Sequence, residues 1–289
     1  MSESIWTDPR NAKLYKAGEH ITGAPAVDLI KQAGLLQTPL QRPPVILDNA
    51  CGTGIVTSLL YQMMPEENVK NMDLVSGDIS TGMVDTVKQR IEENGWKGVK
   101  AQVVDGMNTG FPDKYFTHVI TNFGIMLMPE PEEALEECFR ILQPGGICAL
   151  TSWKTIGWIP DAREAIATIE GAPPFPDTIK FLHSMGKGEW HETSWVETTL
   201  KRLGFENIEL NIARNVPSMG TPEAYGKSFS GMLGQMLLGS KSWTKDDLEK
   251  YGQSLGPAVT KFQKEKIGDK DVEFEMVAII ATARKPLSS

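Results

Sequence analysis

Val45-Ile46-Leu47-Asp48-Asn49-Ala50-Cys51-Gly52-Thr53-Gly54 joins an apolar strand to a glycine turn, and helical spacing starts at Ile55. An acid ends the strand. Glycines at 52 and 54 leave backbone amides uncovered at a helix N-terminus, where a carboxylate or phosphate can approach closely. A dinucleotide fingerprint needs glycines at relative positions one, three and six, and Ala50, Gly52 and Ile55 stand there instead. No Lys-Ser or Lys-Thr follows the glycines, which excludes a P-loop. What remains is an acid followed by small residues at alternate positions: Asp48, Ala50, Gly52 and Gly54. Asp48 also has the chemistry of a cap for the helix that follows.

Outward from this turn, apolar runs alternate with helical periodicity, the pattern of a parallel sheet with crossover helices. Strands are expected at Val45 to Asp48, Met72 to Gly77, Val99 to Val104, His118 to Asn122, Gly146 to Trp153, Ile208 to Ala213 and Phe274 to Ala283. Helices are expected near Ile55 to Met63, Thr81 to Asn94, Pro131 to Leu142 and Trp195 to Leu203. Gln143-Pro144-Gly145-Gly146 reads as a helix stop and a turn into the fifth strand. After Trp153 the alternation lapses, and Gly171-Ala172-Pro173-Pro174-Phe175-Pro176 suits neither helix nor central strand. The reading is one α/β domain over 1–289, a doubly wound, mostly parallel seven-stranded sheet. Insertions are expected at 154–190 and 217–270, the second of them helical.

The 289 residues carry a formal charge of -8, and no Lys/Arg cluster interrupts the acidic balance, so nucleic acid is not an expected partner. Cys51, Cys138 and Cys148 have no metal-ligand or CxxC spacing, which suits a reducing, cytoplasmic location and no metal site. Met1-Ser2-Glu3-Ser4-Ile5-Trp6 lacks signal-peptide architecture, and no run is long enough to span a membrane.

Ligands of open parallel sheets sit at the carboxyl ends of the strands. Asp48 ends the first strand, Asp78 the second and Asp105 the third, while Asn122 ends the fourth. Asp78 can accept from both hydroxyls of a ribose, Ile79 and Met83 can sandwich a flat base, and Asp105, Gly106 and Met107 can read its edge. Asn122 stands where the reacting group would lie.

With these residues the chain resembles the class I S-adenosylmethionine (SAM)-dependent methyltransferases. The resemblance extends along nearly the whole chain to the small-molecule methyltransferases of fungal secondary metabolism, including the gliotoxin thiomethyltransferase. The likeness rests on Leu47 to Gly54, Gly77-Asp78-Ile79-Ser80, Phe116-Thr117-His118-Val119, Glu137-Cys138-Phe139-Arg140-Ile141-Leu142 and Thr151-Ser152-Trp153-Lys154. It implies a Rossmann-like fold with helical cap insertions that build the acceptor pocket, and SAM as cofactor. It also implies an N-terminal helical segment, 1–40, over the cofactor, with Tyr15 at the methionine carboxylate. The expected reaction is in-line methyl transfer to an O, S or N atom of a small hydrophobic natural product. The alternatives are a cyclase that retains SAM and a non-catalytic regulatory protein of the same fold. Phe123, Met126, Trp153 and Trp158 are candidate walls for the acceptor. His183 or His191 is the candidate general base, since both lie in the irregular insertion. A monomer or a homodimer is expected.

Overall fold

The computed structural model describes residues 15–16, 18–40 and 42–288. The stretch Met1 to Trp6 and the rest of the expected N-terminal segment before Tyr15 lie outside the described residues. Helix α1 (Glu19–Gln32) precedes β1 (Val45–Asn49), α2 (Ile55–Met63), the short α3 (Glu66–Lys70), β2 (Asp73–Asp78) and α4 (Thr81–Asn94). Then come β3 (Val99–Val103), β4 (Phe116–Asn122), α5 (Pro131–Ile141) and β5 (Leu142–Ile156). The chain continues through α6 (Ile159–Ala167), α7 (Thr178–Met185), α8 (Thr193–Arg202), β6 (Glu206–Asn215), α9 (Pro222–Gly239), α10 (Lys245–Ile267) and β7 (Met276–Arg284).

Seven strands form one sheet in the order β3-β2-β1-β4-β5-β7-β6. β1 pairs in parallel with β2 and β4, which places Asp48 opposite Ser76 on one side and Ile120 on the other. The strand order reverses between β1 and β4, and such a reversal opens a crevice beyond the strand ends. Lys285, just past the end of β7, pairs with the beginning of β5: Gly145 N–H donates to the Lys285 carbonyl and Lys285 N–H to that of Gly146, both at 2.9 Å. β7 therefore runs antiparallel to β5. Its first eight residues are buried.

One expected boundary is corrected. Gln143-Pro144-Gly145-Gly146 does not precede the fifth strand but lies within β5, which starts at Leu142. The register passes from Phe116↔Leu142 to His118↔Ile147, so the proline and the glycines are accommodated as an irregularity in a continuing strand. The expected lapse after Trp153 holds two helices, α6 and α7, too short for periodicity to reveal.

The chain forms two compact units. The first comprises Met1–Lys154, Gly186–Ala213 and Ala278–Ser289 and contains the centre of the sheet. Lys285 is buried there, and its Nζ donates to the carbonyls of Phe139 at 2.7 Å and Leu142 at 3.0 Å, closing the C-terminal end of α5. Lys285→Met keeps the apolar stem and leaves those acceptors unpaired. It is expected to cost about 2 kcal/mol in urea unfolding, and a cost under about 0.5 kcal/mol would contradict the role.

The second unit comprises Thr155–Met185 and Arg214–Val277. Its core is aromatic: Trp158 packs edge-on against Phe175, Phe181 and Phe229, and Tyr225 stacks on Phe229 at 4.7 Å. Asp161 is buried and accepts from Gln263 at 2.8 Å and Lys266 at 2.7 Å. Helices α9 and α10 run antiparallel, and a Cβ on Gly226 would stand 2.8 Å from the Gly256 carbonyl, so glycine permits their close approach.

Candidate active site

Four strand ends of the first unit converge on the crevice side. Asp48 is 1% exposed, and its Oδ2 accepts from the Thr57 hydroxyl at 2.7 Å and the Thr57 amide at 3.2 Å. Thr57 is the third residue of α2, so Asp48 does act as a cap on that helix from a distance. The Thr57 hydroxyl also lies 2.7 Å from that of Ser76 on β2. Asp48 Oδ1 is buried without a partner among the described residues. Burial raises the Asp48 carboxyl to about 7, against the hydrogen bonds from Thr57 that oppose it, and the nearby Asp78 raises it further.

Asp78 grips the glycine turn. Its Oδ2 accepts from the Gly52 amide at 2.8 Å and its Oδ1 from the Ser80 amide at 2.9 Å. Burial pushes its carboxyl up, partly offset by these two donors. Tyr15 is half-buried, and burial together with the Asp78 charge pushes its phenol up. Glu19, in the first turn of α1, accepts from the Thr53 hydroxyl and pairs with Arg90 on α4 at 2.8 Å, which ties α1 to the glycine turn.

Gly52 and Gly54 have φ of 54° and 91°, and a Cβ on Gly52 would meet nothing within 4 Å. Ala50 takes the same left-handed backbone at φ 54°, where an L-residue costs about 1 kcal/mol. A Cβ on Gly124, after β4, would stand 2.7 Å from that of Ala50. The alanine in the glycine pattern thus fills room left by a glycine on the neighbouring strand end.

Asp105 lies just beyond β3, and its Oδ1 accepts from the Met107 amide at 3.0 Å. Gly106 is buried against the Asn49 carboxamide, which a Cβ there would approach to 3.1 Å. Met83 belongs to the core, whereas Ile79 is 48% exposed; Val103, opposite Asp78 in the β2–β3 register, is 54% exposed. The apolar pair offered to solvent here is therefore Ile79 with Val103. Val103 had no sequence signal beyond its place on an edge strand.

At the end of β4 the Asn122 Oδ1 accepts from the Thr151 hydroxyl at 2.8 Å. Phe123 follows with a left-handed backbone, and its ring stacks on Trp153 with centroids 3.9 Å apart. Met126 Sδ accepts from the Trp153 amide at 3.5 Å. Three of the four expected wall residues thus cluster in the first unit. Trp158 lies in the aromatic core of the second unit.

The histidines differ. His183 is exposed near the end of α7. His191 is 9% exposed, with Nε2 3.6 Å from a Glu189 carboxylate oxygen and 3.7 Å from one of Glu192. His118 lies within β4 beside the Thr117 hydroxyl, and burial lowers it to about 4, so it stays neutral near pH 7. Sequence reasoning missed Thr57, Ser76 and Thr151, whose hydroxyls hold these strand ends. A hydroxyl in the first turn of α2 was a usable signal for Thr57.

The residues fit a nucleoside that carries a cation. Open space lies over Gly52, and Asp48 Oδ1 and Ser80 Oγ are buried acceptors without partners among the described residues. This sheet order with an acidic glycine turn defines the class I SAM-dependent methyltransferases. A methyltransferase domain family matches residues 47–150. Methyltransferase tpcH of Aspergillus fumigatus is 34% identical over 287 residues, covering 99% of this chain and 100% of that enzyme. The acetylaranotin bis-thiomethyltransferase of Aspergillus terreus is 34% identical over 276 residues, 95% of this chain and 94% of that one. Among solved structures, the Haemonchus contortus phosphoethanolamine N-methyltransferase 2 complex with S-adenosylhomocysteine has a TM-score of 0.53 at 18% identity. It covers 90% of this chain and 52% of that one. The chain belongs to the class I SAM-dependent methyltransferases and resembles the enzymes of fungal secondary metabolism. It is an enzyme of methyl transfer with SAM as methyl donor, and these relatives favour that activity over the cyclase and regulatory alternatives. No helix of the described residues is long and apolar enough to cross a membrane.

Proposed function

We propose that the chain methylates an O, S or N atom of a small hydrophobic natural product, with Asp48, Asp78, Asp105 and the glycine turn holding the donor. The observation that carries this reading is the convergence of those groups at neighbouring strand ends in a chain similar over its whole length to fungal methyltransferases. Asp78 and Asp105 would accept from ribose and base, and Ile79 with Val103 would cover the base; Met83 supports that wall from the core. Gly106 and Met107 would border the base edge. Ala50, Gly52 and Gly54 leave room for the methionine part, with Tyr15 and Asn122 at its ends. Phe123, Met126 and Trp153 would form an apolar wall beside the reacting atoms.

When bound, SAM supplies a methyl group already activated on a sulfonium. The protein's share is to align the acceptor and keep water out, and such alignment accounts for on the order of 7 to 11 kcal/mol in favourable systems. His191, flanked by Glu189 and Glu192, is the better placed base in the first unit, and it would matter for a phenol, alcohol or ammonium and little for a thiol that ionises readily. His183, exposed in the second unit, is the other candidate. Three free, buried cysteines support a reducing, cytoplasmic setting. The acidic net charge supports a partner other than nucleic acid, and either a monomer or a homodimer accommodates the reading.

The test incubates purified protein with SAM and matched panels of apolar thiols, phenols and amines, and reads S-adenosylhomocysteine by mass spectrometry. Product is expected with an apolar acceptor and at background level without one. His191→Ala is expected to lower kcat by about 100-fold for a phenol and by under about threefold for a thiol. Turnover on no panel member would overturn the substrate class.

A further inference from the structure

Thr151 is wholly buried on β5, opposite Asn122 in the β4–β5 register. Its hydroxyl accepts from the Phe123 amide at 2.9 Å and donates to Asn122 Oδ1 at 2.8 Å. A hydroxyl has a single proton to give, so with that proton on Asn122 the oxygen is free to receive the Phe123 N–H. Phe123 needs this acceptor. Its φ of 55° is rare for an aromatic residue, and the turn takes its amide out of the parallel ladder. The same bond settles the Asn122 carboxamide: Oδ1 faces Thr151, so Nδ2 presents its protons the other way. Among the described residues Nδ2 meets only the Thr22 carbonyl, at a long 3.4 Å.

We infer that Thr151 is a positioning residue for methyl transfer, which aims the Asn122 amide donor at the cofactor and holds the left-handed turn that sets the Phe123 ring against Trp153. The inference rests on the proposed role of Asn122 at the cofactor. One hydroxyl then fixes two features of the site at once, a polar donor and an apolar wall, although Thr151 itself touches neither ligand. Removing it frees both, because Asn122 can rotate and Phe123 loses the acceptor that offsets its backbone strain.

The experiment compares Thr151→Val, which keeps the shape and loses the hydroxyl, with Thr151→Ser, which keeps the hydroxyl. The probe is S-adenosylhomocysteine, titrated calorimetrically. Thr151→Val is expected to weaken it about tenfold, the equivalent of one lost hydrogen bond, and Thr151→Ser to restore it to within about twofold. The near-ultraviolet dichroism of the Phe123–Trp153 stack is expected to change in Thr151→Val and return in Thr151→Ser. In an Asn122→Ala background, Thr151→Val is expected to add no further loss of affinity. Wild-type affinity in Thr151→Val alongside a clear loss in Asn122→Ala overturns the inference and leaves the role of Asn122 standing. Equal losses in the valine and serine variants overturn it too. Full affinity in Asn122→Ala removes the reading on which it rests. Should Thr151→Val not fold, Thr151→Cys carries the same comparison, since a thiol is a poor donor and acceptor.

Discussion

Asp78→Ala is expected to weaken S-adenosylhomocysteine by about 100-fold or more while changing the melting temperature little. The two effects separate because Asp78 acts in two opposed ways. Its carboxylate holds the Gly52 and Ser80 amides at 2.8 and 2.9 Å, so its removal releases the turn over which the ligand would lie. Two charge-assisted bonds to a ribose would be lost as well, and a pair of that kind is worth roughly 3 kcal/mol or more. Against stability, however, the folded protein keeps this carboxylate largely out of water, and burial has raised its pKa. Deleting it relieves that cost and offsets the freed amides. Calorimetric titration alongside thermal unfolding checks the split. An affinity within about threefold of wild type would place the ligand elsewhere.

Asp48→Asn is expected to stabilise the ligand-free protein at pH 8 and to do so less and less as the pH falls. Burial raises the Asp48 carboxyl from 3.8 to about 7 in the folded state. Below about pH 4 the group is protonated in both folded and unfolded chains and contributes no pH dependence. Between about 4 and 7 the unfolded chain ionises while the folded one keeps its proton, so stability falls as pH rises. Above about 7 both are ionised and the penalty is constant, on the order of a few kcal/mol. Asparagine keeps an acceptor for Thr57 and has nothing to titrate. The gap in melting temperature between variant and wild type should therefore widen from pH 4.5 to pH 8 by several degrees. A gap that stays constant across that range would show that Asp48 does not carry a raised pKa.

The glycine turn and the central strands were legible because their signals are local. Apolar β1 residues, an acid and two glycines stand side by side in the chain, and physics at short range dictates a strand, a turn and a helix. The four residues 143–146 misled for the same reason. Proline and glycine mark a break in regular backbone, but nothing nearby tells whether the strand resumes on the far side or had already begun at Leu142. Thr151 was invisible as a site residue because its importance comes from register: only pairing of β4 with β5 puts its hydroxyl against Asn122 and the Phe123 amide. Trp158 stands five positions after Trp153, yet its ring partners Phe175, Phe181 and Phe229 come from farther along the chain, a packing that nothing beside Trp158 in the sequence announces. The exposed Ile79 and the buried Met83 show a similar limit, as helical spacing brings the two near each other without deciding which is covered.

The meeting of Ala50 with Gly124 ties together two positions far apart in the chain. One methyl group's worth of room is shared between them, and at present Ala50 owns it. A lineage that moved the methyl to position 124 would first have to give it up at position 50, and would still crowd the Thr121 methyl, which a Cβ on Gly124 would approach to 2.9 Å. Substitution histories at these sites are therefore order-dependent: Ala50→Gly removes the nearer of the two clashes that Gly124→Ala alone would meet. Libraries that diversify the glycine turn and the β4 end separately would discard combinations that succeed only as a pair.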